Sequence, residues 1–121
     1  MENLSMIKGK IVLVPFPFDD LSAAKVRPAV CLTNPIGPHR HIVLAFISSQ
    51  IPRDLLDTDV VLNSKQAAFT TTGLHVSSTL RLHRLITVTT SLIQRELGTL
   101  LPSMQTEVNR KLRKLFELRS T

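Results

Sequence analysis

The chain has 121 residues, is 43% apolar with a mean hydropathy of +0.15, and carries a formal net charge of +6 with a pI near 10.3. This is one ordinary domain, taken as residues 1–121, with enough chain to bury a core and too much apolar content for disorder. The longest apolar run, Ile11 to Phe18, is eight residues interrupted by two prolines, far short of the about twenty that span a membrane.

The opening "MENLSMIKGK" lacks the charged and apolar regions of a signal peptide, so a cytoplasmic protein is expected. The basic balance, 15 Lys plus Arg against 9 Asp plus Glu, favours polyanionic partners such as RNA, DNA or an acidic protein segment. The charge is uneven. From Met104 onward five cations (Arg110, Lys111, Arg113, Lys114, Arg119) face two anions, which reads as the solvated face of a terminal helix.

In chain order, "IVLV" (11–14) is a continuous aliphatic run and predicts a strand covered on both faces. "PFPFDDLSAAKV" (15–26) reads as a loop, because prolines two apart cannot serve a central ladder. "RPAVCLT" is a second strand, closed by the turn signals of "NPIGPHR". "HIVLAFISS" is a third strand and "TDVVLN" a short fourth. "KQAAFTTTGLHVSST" reads as a loop leading toward a strand.

"TLRLHRLITV" alternates Leu80 and Leu82 with Arg81 and His83, then slips to Leu85, which predicts a strand with one wet face. "SLIQRELG" opens on Ser91 with Gln94 three residues later and ends on Gly98, the pattern of a short capped helix. "PSMQTEVNRKLRKLFEL" places Pro102 in the first helical turn and Met104, Val108, Leu112 and Leu115 on one apolar stripe. The expected outcome is a small strand-rich barrel or sheet with one short and one terminal helix.

The lone cysteine, Cys31, lies in the apolar run "AVCLT" and reads as a small buried hydrophobe rather than a nucleophile. No cysteine pair is available for a disulfide or a metal. Among four histidines, His39 and His41 form only an H-x-H pair without a carboxylate or cysteine at ligand spacing, so neither a metal site nor another cofactor is expected.

These segments, in this order, resemble the MazF/PemK family of toxin–antitoxin ribonucleases. The resemblance rests on "GKIVLVPFPFDDLSAAKVRPAV", "LAFISSQI", "TDVVL", "SSTLRLHRLITV" and "LGTLLPSMQTEVNRKLRKLFEL", the last of which is similar to the family's final strand and helix. It implies a mainly β fold, an SH3-like barrel of the CcdB/Kid/MazF type with a short helix and a C-terminal helix. It also implies a homodimer, metal-independent cleavage of single-stranded RNA, neutralisation by a cognate antitoxin, and contact with operator DNA through the antitoxin complex. No membrane role is implied.

Carried over residue by residue, the resemblance places Arg27 on the family's catalytic arginine and Ser48 on its Thr/Ser hydroxyl. Arg81 fits an arginine that some PemK-branch members use, while His83 stands where those members carry an acid. Lys10 is a second departure, at a position where the family often has an acid. Lys25, Ser49, Gln50, Ser78 and Arg84 are the implied RNA-binding residues.

The chemistry suits the assignment. Attack by a 2′-hydroxyl on the neighbouring phosphate needs a base, a cation for the crowded phosphorane and a donor for the leaving oxygen. An arginine fork matches phosphate oxygens, and Pro28 biases Arg27 toward extended backbone. Each residue also has a plain reading. Arg27 can be a surface arginine at a strand start, Ser48 a strand-end serine bonding its own backbone, and Ser78 the closure of a turn. Arg81 and His83, two apart, would share a strand face, and only one of Ser48 and Ser49 would face the site if alternation persists. Histidine exchanges protons near neutral pH, and an exposed strand histidine without chemistry is the other reading of His83. Phe16 and Phe18, bracketing Pro17, read as core or dimer contacts more than as base-stacking surfaces.

Two further readings stand beside the ribonuclease. One is a CcdB-like gyrase poison on the same fold, against which stands the absence of tryptophan. The other is a non-catalytic module that binds nucleic acid or antitoxin, the enzyme having decayed.

Overall fold

The computed structural model describes residues 6–16 and 25–119. Six strands form one curled antiparallel sheet: β1 (Lys10–Pro15), β2 (Val26–Cys31), β3 (His41–Ser48), β4 (Asp59–Leu62), β5 (Ser78–Thr89) and β6 (Arg95–Thr99). Their spatial order is β4-β5-β3-β2-β1-β6. One helix, α1 (Pro102–Leu115), follows and packs against β5 and β4. No helix among the described residues is long and apolar enough to cross a membrane.

Strand alternation sorts the apolar residues into two cores. Ile11, Val30, Ala45, Ile47, Leu80 and Leu82 point to one face, where Met104 and Val108 of α1 cover them and Leu112 and Leu115 pack at the margin. Val12, Val14, Ala29, Cys31, Ile42, Leu44 and Phe46 point to the other, with Ile7 beside them. The expected double coverage of 11–14 follows from this arrangement, because successive residues of β1 feed opposite cores.

The prolines sit where a ladder can spare an N–H. Pro15 is the last residue of β1 and pairs with Val26. Pro28 lies one step beyond the β2–β3 ladder, which covers only Ala29–Cys31. The loop expected over 15–26 therefore has paired strand residues at both ends, while its interior, with Pro17, Phe18, Asp19 and Asp20, falls outside the described residues. The turn after β2 closes as anticipated: Ile36 bridges His41, and Gly37 and Arg40 take left-handed backbone with φ of 73° and 53°.

One expected element is overturned. The stretch 91–98 is not a helix: a 3-10 turn spans Thr90–Leu92 and Arg95–Thr99 is strand β6, paired with β1. The reason is tertiary. Gly98 does not cap a helix; it lets β6 lie directly on the 3-10 turn Ala67–Thr72. A Cβ at Gly98 would fall 2.2 Å from the Thr71 carbonyl oxygen. Gly73 answers from the other side, with φ of +72° and a Cβ position 2.0 Å from the Leu97 oxygen. This 3-10 turn lies within 65–79, a segment read from sequence as a loop leading toward a strand, and β5 begins at its end with Ser78.

Cys31 is fully buried, and burial is the main reason its thiol is pushed up to about 12. At pH 8 we expect no reaction with a disulfide reagent in native protein and stoichiometric reaction in denaturant. A native-state reaction rate like that of an exposed thiol contradicts the packing. For Gly98→Ala, the clash with Thr71 and Thr72 backbone predicts a loss of about 3 kcal/mol, the upper range for one substitution, read from the urea midpoint.

Candidate active site

At one end of the second core the alternation continues into polar residues. Phe16 follows Val12 and Val14 on β1, Arg27 precedes Ala29 and Cys31 on β2, and Ser48 follows Ile42, Leu44 and Phe46 on β3. Period-2 geometry thus carries Phe16, Arg27 and Ser48 to the same side of the sheet. They line a cleft of about 290 Å³ together with Phe46, Ile47, Ser49, Gln50, Arg81 and Arg84.

The two β5 arginines reach this cleft through a break in register. Ala45 pairs with Leu85 and Ile47 with Leu80, so the β5 segment 81–84 has only Phe46 opposite it on β3. This bulge is larger than the common two-against-one kind, and such irregularities re-aim side chains. The slip inferred from the Leu82-to-Leu85 spacing lies here. Its effect on the site differs from the simple strand expectation: Arg81 and Arg84 share the cleft, whereas His83 is exposed and is not among the cleft's lining residues. Likewise Ser48 and Ser49 both line the cleft, because the strand ends at Ser48 and alternation stops with it.

Phe16 lies in the site as well as against the second core. Its ring packs edge-on against Phe46, with centroids 4.8 Å apart at 86°. The guanidinium carbons of Arg27 and Arg84 lie 5.4 and 5.5 Å from the Phe16 centroid. Each such cation–π contact contributes about 0.5–1 kcal/mol and gives two like-charged groups a common anchor. The Ser48 hydroxyl accepts a hydrogen bond from the Gln50 N–H at 3.2 Å, so the backbone-bonding reading of that serine holds alongside its place in the cleft.

Arg81 has an ionic neighbour that the sequence did not disclose. Asp59, its register partner on β4, places Oδ1 2.8 Å from Arg81 Nε. The Asp59 side chain is fully buried. Although close, the pair lacks hydrogen-bond alignment, and both atoms are buried without another hydrogen-bond partner among the described residues. The contact is therefore one of charge.

The other expected residues lie nearby. Ser78 is buried and donates to the Val76 carbonyl at 2.8 Å, closing a turn. It lines a second groove of about 270 Å³ that adjoins the cleft and shares Arg27, Ile47 and Ser49 with it. Lys25 is exposed beside Arg27, its carbonyl accepting the Phe16 N–H, and lines neither depression. Lys10 pairs with Glu96 at 3.1 Å, on the β1–β6 side of the sheet. Among the described residues no three His, Cys, Asp or Glu side chains gather in a metal-binding arrangement.

Comparison with known proteins agrees with this architecture. A family model for PemK-like, MazF-like toxins of type II toxin–antitoxin systems matches residues 7–116. Among solved structures, the Mycobacterium tuberculosis toxin MazF-mt6 superposes with a TM-score of 0.71, covering 92% of this chain and 99% of that one at 21% identity. MazF in a Deinococcus radiodurans MazE–MazF complex gives 0.72 over 97% and 100% at 16% identity. A mycobacterial endoribonuclease in complex with its cognate antitoxin gives 0.69 over 96% and 99% at 13% identity. No individually curated protein matches the sequence. At these identities the structural likeness carries the fold, and the family model carries the membership. With nearly all of its length inside that model and its strands in the MazF arrangement, this chain belongs to the PemK-like, MazF-like toxins of type II toxin–antitoxin systems.

Proposed function

We propose that this toxin is a metal-independent endoribonuclease that cleaves single-stranded RNA by attack of a 2′-hydroxyl on the adjacent phosphate. The observation that supports this reading is the convergence of three guanidiniums, Arg27, Arg81 and Arg84, with Ser48, Ser49 and Gln50 in one cleft. The similar folds described as endoribonucleases point the same way.

In this reaction the 2′-oxygen bonds to phosphorus and the bond to the 5′-oxygen breaks. The products are a 2′,3′-cyclic phosphate on one fragment and a 5′-hydroxyl on the other. The phosphorane between them gathers negative charge on its equatorial oxygens, and arginine forks placed beforehand stabilise it without reorganisation. Arg27 and Arg81 are assigned to the phosphorane, the Ser48 hydroxyl to a phosphate oxygen, and Ser49, Gln50 and Arg84 to the strand. The assignment of His83 as a catalytic group gains no support from its exposed position outside the cleft. The same family reading supplies a homodimer, a cognate antitoxin that silences the toxin, and contact with operator DNA through the pair.

Purified protein is expected to cleave a long single-stranded RNA in EDTA and leave 2′,3′-cyclic phosphate ends detectable by mass spectrometry. Arg27→Ala should lower kcat by about 10²–10³, the usual effect of removing one donor to developing charge. Wild type that is inert in EDTA, or Arg27→Ala with undiminished rate, refutes the reading. For binding, an all-2′-O-methyl oligonucleotide blocks the nucleophile. Arg84→Ala should weaken it across sequences and reduce the slope of log K against log salt by about 0.7, one phosphate contact on a single strand. An unchanged slope removes Arg84 from the strand-binding set.

A further inference from the structure

We propose that Asp59 is a positioning residue for Arg81, holding that guanidinium in the cleft from across the β4–β5 ladder. The inference rests on the ribonuclease reading for its kinetic consequence and on geometry for its substance.

The carboxylate is itself fixed on several sides. Leu56 and Asp59 exchange two hydrogen bonds: the Asp59 N–H donates to the Leu56 carbonyl at 3.0 Å, and the Leu56 N–H donates to Asp59 Oδ2 at 2.9 Å. That engages one carboxylate oxygen and leaves Oδ1 for Arg81, 2.8 Å away. From the far side, Lys111 of α1 donates to the Asp59 carbonyl and pairs with Glu107 at 3.4 Å, pinning the strand at this residue. The helix thereby reaches the cleft through two intermediaries.

The energetics make the pair obligatory. A carboxylate with no exposed surface is strongly disfavoured unless a cation stands beside it, and the Arg81 side chain, 22% exposed, reaches both the buried oxygen and the cleft. Because Arg81 sits in the bulge at 81–84, where β3 offers only Phe46 opposite, the β3 side of the sheet does not fix its side chain. Oδ1 of Asp59 does. The buried Nε is held at Asp59, and the guanidinium lines the cleft, where phosphate would meet it.

Asp59→Asn tests this. The substitution is nearly isosteric and retains one oxygen for the Leu56 N–H, but it turns an amide group toward Arg81 and removes the charge. Cleavage of one defined single-stranded RNA is measured for wild type, Asp59→Asn, Arg81→Ala and the double variant, with circular dichroism melts alongside. We expect Asp59→Asn to lower kcat 10–100-fold with KM changed less than threefold. The double variant should be no slower than Arg81→Ala alone, since Asp59 acts through Arg81. Wild-type kcat in Asp59→Asn, or multiplied losses in the double variant, overturns the proposal.

An NMR measurement on wild-type protein stands independent of activity and of variant folding. The Arg81 Nε–H resonance should be ordered and exchange slowly with water, and a motionally averaged, rapidly exchanging signal also overturns the proposal. Inactive wild type with an ordered Arg81 removes the ribonuclease reading and leaves the positioning contact standing. Active wild type insensitive to Asp59→Asn removes only the positioning.

Discussion

The β3–β5 ladder advances two residues on β3, from Ala45 to Ile47, while β5 advances five, from Leu85 back to Leu80. Without that mismatch β5 would keep one strict alternation along its length. Leu82 and Leu85 would then fall on opposite faces, and one would leave the core. The bulge lets both serve the same core and releases the intervening arginines toward the cleft. Packing and site geometry are thus satisfied by a single irregularity, and each constrains it: moving the slip by one residue would expose a leucine or withdraw an arginine.

The cleft concentrates positive charge, and the surroundings manage it in two ways. Phe16 offers its ring to Arg27 and Arg84 while Phe46, buried in the second core, holds that ring edge-on. Asp59 neutralises Arg81 at its Nε side only. The Asp59 contact meets Arg81 at Nε and so engages one part of that donor fork. A fully paired guanidinium would be a structural element; a partly engaged one is a preorganised ligand for phosphate.

Five of six strands and the terminal helix were legible from apolar periodicity, turn residues and the N-terminal proline of α1, because each buries a regular face. β6 was not. Its five residues, "RELGT", carry no alternation, and the Ser91/Gln94 spacing imitates a helix cap. What makes it a strand is backbone contact at Gly98 and pairing with β1, both set by residues distant in sequence. The site divides similarly. The placement of Arg27, Ser48 and Arg81 followed from the family resemblance, and the Leu82-to-Leu85 slip was visible in the spacing. Where that slip would send Arg84 and His83 was not visible, since a bulge's geometry depends on the opposing strand. Asp59 gave no signal, because a lone acid in "TDVVLN" looks like any strand-edge polar residue until β5 is laid beside it.

Charge distribution in the fold also separates two roles that net charge confuses. Half of the formal excess sits in the last eighteen residues, five cations against two anions. In the structure much of it is engaged within the molecule: Arg110 and Lys111 with Glu107, Lys114 with Asp57, and Lys111 with the Asp59 carbonyl. Arg110 holds the exposed Glu107 carboxyl below its usual range, a modest surface contact that salt would weaken. Lys111 and Lys114 therefore tie α1 to β4 and its preceding turn, while Arg110 pairs within the helix. The cleft arginines differ in kind: they are held by an aromatic ring and by a buried carboxylate on β4. The same helix stiffens the strand carrying that carboxylate, so its basic residues bear on the cleft through Asp59 rather than by touching an anion there.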